Sequence, residues 1–87
     1  MSDVQNKIQV ALTIADKVER QSGELVARSA SLGEIQGSIR SVAAGSYSGD
    51  AAIMQTDNAC IALQEAARQL QSSAEDLKVY AERLRSS

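Results

Sequence analysis

The sequence predicts an all-α fold: two long helices folded back on each other as an antiparallel hairpin, with hairpins dimerising into a four-helix bundle. Three observations predict it. Apolar and small residues recur at alternating spacings of three and four through both halves of the chain. Proline is absent, and the main break in the pattern is a glycine-flanked stretch near mid-chain. The only aromatic residues are Tyr47 and Tyr80, so a core built around rings is excluded.

The first helix is expected over about residues 3–44. Val4, Ile8, Ala11, Ala15, Val18, Ser22, Leu25, Ser29 and Leu32 form one continuous 3–4 stripe. Past Gly33 the stripe is read as resuming one step out of phase at Ile35, Ile39 and Val42. Gly33 and Gly37 admit two readings. They are either a weak spot or kink costing about 1 kcal/mol each against Ala, or a surface that admits a neighbouring helix closely.

The turn is assigned to residues 45–49. Gly45 suits the position just past a helix C-terminus, where φ is often positive. Ser46 or Ser48 can cap the next helix, and Asp50 falls favourably in its first turn. So short a connection makes the two helices antiparallel. Tyr47-Ser48-Gly49 reads either as a plain turn, with Tyr47 a lid over the hairpin end, or as a recognition knob.

The second helix is expected over about residues 49–85. Ile53, Thr56, Cys60, Leu63, Ala67, Leu70, Ala74, Leu77, Ala81 and Leu84 run without interruption. One seam position holds Cys60, Ala67, Ala74 and Ala81; the other holds Leu63, Leu70, Leu77 and Leu84. The small residues let a partner backbone approach while Leu fills the gaps. Ala52, Ala59, Ala66 and Tyr80 flank this face and widen it beyond a two-helix seam. At ~1.5 Å per residue each arm would extend roughly 50–60 Å.

The 87 residues make one domain, 1–87. Hydrophobic residues make up 44%, but 14 of them are alanines, so little area is buried per residue. A domain of this size is marginal alone, which points to a partner. We expect a homodimer, or a heterodimer with another small helical protein, joined through Ala52, Ala59, Leu63, Ala66, Leu70, Leu77 and Tyr80.

Chemistry is sparse. Without histidine the usual general base near neutral pH is missing. Glu65, Glu75 and Asp76 lie off the apolar seam and read as solvated charge. Cys60 reads as a small seam residue; one cysteine makes neither an internal disulfide nor a zinc cage. Asp50 and Asp57 are too sparse for a calcium loop. No enzyme, cofactor or metal site is expected. Nine basic against eleven acidic residues leave a net charge of −2, no footprint for nucleic acid. No apolar run suffices for membrane insertion, and the N-terminus lacks the pattern of a secretory signal peptide. Synthesis in the cytoplasm is expected, with any export by a route that needs no such signal.

The stretch Ser46-Tyr47-Ser48-Gly49-Asp50-Ala51-Ala52, at the middle of a helical hairpin under 100 residues, resembles the WXG superfamily of type VII secretion. Tyr47 stands where that family has Trp, and Gly49 matches its Gly. The resemblance implies helix pairs that dimerise into four-helix bundles. The family's C-terminal signal, a Tyr followed four residues later by an acid, is replaced by Tyr80 and Leu84. That departure shifts the implied role toward the accessory partners of LXG-type toxins, which bind the helical N-terminal segment of a toxin. The alternative is a structural coiled-coil or bundle subunit unrelated to type VII secretion.

Overall fold

The computed structural model describes residues 2–87. It is all-helical: α1, Ser2–Ala43, and α2, Tyr47–Ser86, pack against each other. The contacts group into two units. A terminal unit comprises Met1–Gly23 with Ala67–Ser87, and a turn unit comprises Glu24–Ala66.

In the terminal unit, Ile8, Ala11 and Ala81 form a buried cluster, with Leu12 and Leu84 packed on it. Ala15, Ala67 and Ala74 are buried in the same seam. Ser22 is buried too, and its hydroxyl donates to the carbonyl of Ala67 at 2.8 Å. Only small side chains let two helical backbones come within reach of one hydroxyl. Lys78 Nζ meets Glu19 Oε2 at 2.7 Å on the rim.

The turn unit repeats the device. Ser29 donates its hydroxyl to the Cys60 carbonyl at 3.4 Å, and the Cys60 thiol donates back to the Ser29 carbonyl at 3.5 Å. One heptad further along α1, the Gln36 amide donates to the Ile53 carbonyl at 3.2 Å. Seven residues forward on α1 thus answer seven residues back on α2.

That pairing corrects the expected phase shift after Gly33. The helix passes Gly33 unbroken, and the 3–4 spacing continues from Leu32 to Gln36, Ile39 and Ala43, all half-buried. Ile35 and Val42 lie outside the seam, 51% and 87% exposed. A polar residue holds the seam because its amide finds a carbonyl across the helix pair.

The turn is also shorter than the assigned 45–49. Only Ala44, Gly45 and Ser46 separate the helices, and Tyr47-Ser48-Gly49 is the first turn of α2. Ser46 is the reason. Its hydroxyl accepts the N–H of Gly49 at 3.0 Å, an N-cap bond, and donates to the Ala43 carbonyl at 2.9 Å. One side chain therefore closes α1 and opens α2. Gly45 takes φ +92°, and its N–H is held by the Asp50 carboxylate at 2.9 Å. Gly49 is needed for space: a Cβ there would strike the Ala43 carbonyl and lie 2.6 Å from the Ala43 Cβ.

The cores are thin. No large side chain is fully buried among the described residues. Leu25, Leu32 and Leu63 in the turn unit stay half-buried, as do Leu70, Leu77 and Leu84 in the terminal unit. Full burial of such a side chain is worth about 1.5–3 kcal/mol, so much of that free energy is unrealised in the chain alone.

Three stability measurements follow. Gly49→Ala should cost roughly 1–3 kcal/mol in denaturant titrations, because the new methyl overpacks backbone. Ala67→Leu should cost a similar ~1–3 kcal/mol, whereas Ser22→Ala should lose only about 1 kcal/mol. The third concerns pH. The hydrogen bond to Glu19 outweighs an opposing desolvation and, aided by the charges of Glu19, Glu75 and Asp16, raises the Lys78 pKa above the ordinary 10.5. A raised lysine stabilises the fold fully below the unfolded value and loses that contribution as pH climbs through the folded one. Lys78→Met should therefore lower the melting temperature slightly at pH 8, and the difference should vanish in strongly alkaline buffer.

Candidate functional site

The features most open to chemistry are surfaces. Each unit presents a half-exposed row of large apolar residues beside its small-residue seam. On a helix with a 3.5-residue repeat, the second seam position and the one flanking it lie on the same side, about 50° apart. In the turn unit that side carries Leu25, Leu32 and Ile39 from α1, with Thr56 and Leu63 from α2, all half-buried.

The residues assigned to the interaction face divide between the units. Ala52, Leu63 and Ala66 are half-buried and Ala59 is exposed, all in the turn unit. Leu70 and Leu77 are half-buried and Tyr80 is 46% exposed, all in the terminal unit. Within the turn unit, the flanking position on α2 is small (Ala52, Ala59, Ala66), and the matching position on α1 is large (Ile35, Val42). These α1 residues were missed because their apolarity placed them in the seam. The 3–4 count continued from Leu32 would have found them.

The tripeptide Tyr47-Ser48-Gly49 does not act as one element. Tyr47 is 92% exposed and Ser48 is exposed, whereas Gly49 is buried against Ala43. An exposed ring therefore stands beside a glycine that serves helix packing. Gly33 and Gly37 are exposed, and a Cβ at either would meet open space, so neither makes a close approach within the chain.

The remaining candidates are quickly placed. Asp50 spends its carboxylate on the turn, and Cys60 is half-buried with its thiol on a carbonyl. Glu75 and Asp76 are exposed, and Glu65 is exposed with a bonding partner of its own. Among the described residues no three His, Cys, Asp or Glu side chains group so as to hold a metal ion, and no helix is long and apolar enough to cross a membrane. The arrangement supports helix-on-helix recognition, in which shape and apolar area supply the binding free energy. Compared with protein-family models, curated proteins and solved structures, the chain matches none.

Proposed function

We propose that this chain is a non-enzymatic, WXG-like partner protein of type VII secretion that binds the helical N-terminal export domain of a cognate toxin. One observation carries the binding mode: the turn unit's leucine row, Leu25, Leu32 and Leu63, remains half-exposed beside an alanine-lined flank. A helix or helix pair laid on that side would complete a bundle core. The pathway rests on the resemblance of the hairpin layout and of Tyr47-Ser48-Gly49 to the WXG superfamily.

Apolar area left open within each unit supports a partner: Leu25, Leu32 and Leu63 in the turn unit and Leu70, Leu77 and Leu84 in the terminal unit stay half-buried, and an interface would cover them. In isolation the same face would be covered by a second copy, exchanged for the toxin segment in the cell. A role as a plain bundle subunit would use the same face for the copy alone.

The test is recovery of the chain from its native cells, with export of the cognate toxin measured alongside. Ala66→Glu should cut partner recovery by more than about tenfold, because an unpaired carboxylate would enter an apolar interface. Circular dichroism should show the hairpin intact. Leu63→Ala should weaken the complex more than it destabilises the isolated chain. Recovery of the chain only with itself, and unchanged toxin export on gene deletion, would favour the bundle subunit.

A further inference from the structure

The side of α2 turned away from the leucine row carries a second apolar stripe. Tyr47, Met54 and Ile61 recur at seven-residue intervals and are 92%, 66% and 56% exposed. They extend about 21 Å along the helix, and Ile61 stands about 160° around it from Leu63. Tyr47 and Met54 wall one shallow hollow together with Asp50, Ala51 and Gln55.

The charge around this stripe is mainly acidic. From Tyr47 to Ala67, α2 carries Asp50, Asp57 and Glu65, and Arg68, seven residues past Ile61, is its first basic residue. The whole turn unit holds five acidic residues against two basic ones, Arg28 and Arg40. Arg40 lines a hollow with Asp50, Met54 and Asp57, so one guanidinium stands at the stripe's inner edge. No hydrogen bond or ion pair among the described residues engages the Asp57 carboxylate.

We propose that the Tyr47–Met54–Ile61 stripe is a docking surface for a basic amphipathic helix of another protein. An apolar row framed by carboxylates fits a helix whose own apolar row is framed by Lys or Arg. Tyr47 and Met54 suit such a surface: the ring offers a rigid anchor, and the thioether adapts to the packing it meets. The acidic frame repels anionic lipid and disfavours a second copy, whose matching surface would bring like charges together. This surface is separate from the leucine side, and the proposal does not depend on the secretion reading.

The test uses the full chain and two synthetic 18-residue helical peptides with one leucine stripe, flanked by Lys in one and by Glu in the other. Fluorescence anisotropy should show at least about tenfold tighter binding of the Lys peptide. The double variant Met54→Ser/Ile61→Ser should lose roughly tenfold in affinity at unchanged helicity, since both side chains are exposed. Asp57→Lys should narrow or invert the preference between peptides. Equal binding by the serine variant would reduce the effect to bulk charge and overturn the proposal. So would co-sedimentation with phosphatidylglycerol vesicles, or a self-associated chain that becomes monomeric on serine substitution, since lipid or a second copy would then be the occupant.

Discussion

The close approach of the α1 and α2 backbones governs everything else in this chain. In each unit a small side chain on one helix reaches a carbonyl on the other: Ser22 to Ala67, and Ser29 to Cys60. Those carbonyls belong to residues inside α2, so each hydroxyl adds a bond without taking a helical one away. The approach has a cost in packing. Helices drawn together over Ala and Ser leave no gap deep enough to bury Leu completely. The large residues are displaced to the side of the seam, where they become half-exposed rows. The thin core and the apolar side thus have one cause.

The turn is built to the same tolerance. Ser46 contributes one hydroxyl to the end of α1 and the start of α2, while Gly49 gives up its side chain so that the helices meet at the apex. Asp50 holds Gly45 in a conformation that few other residues adopt. Tyr47 is consequently held by a capped helix and not by a loose loop. An exposed aromatic on a fixed element loses less conformational entropy on binding than one on a mobile segment.

Much of this was legible in the sequence. The α2 seam follows from Ile53 to Leu84 because every position is apolar or small, and no competing pattern is as long. Gly45 was legible from the demand for positive φ past a helix end. Past Gly33 the reading failed at Gln36: a polar residue looks foreign to a seam until its partner, the Ile53 carbonyl, is known. Ile35 and Val42 were then drawn inward by their apolarity, which hid the α1 side of the interaction face. Tyr47 was misplaced because Ser46 and Ser48 were equally good caps, and only tertiary geometry chooses between them. Gly49 reads as part of a plain turn or a recognition knob, although its function is steric and depends on Ala43. The Tyr47–Met54–Ile61 stripe was present in the spacing but was outweighed by the longer seam beside it.

A seam specified by size instead of identity has an evolutionary consequence. Ala, Ser and Cys are nearly interchangeable wherever the requirement is only that two backbones touch, and Ser22, Ser29, Cys60 and Ala67 already sample all three. Substitutions among them change volume by little more than one heavy atom and leave no buried group without a partner. Lineages sharing this register can therefore drift through many neutral sequences while retaining their helix pairing. Kinship among such hairpins will be recorded in which positions stay small, long after the letters themselves have been exchanged.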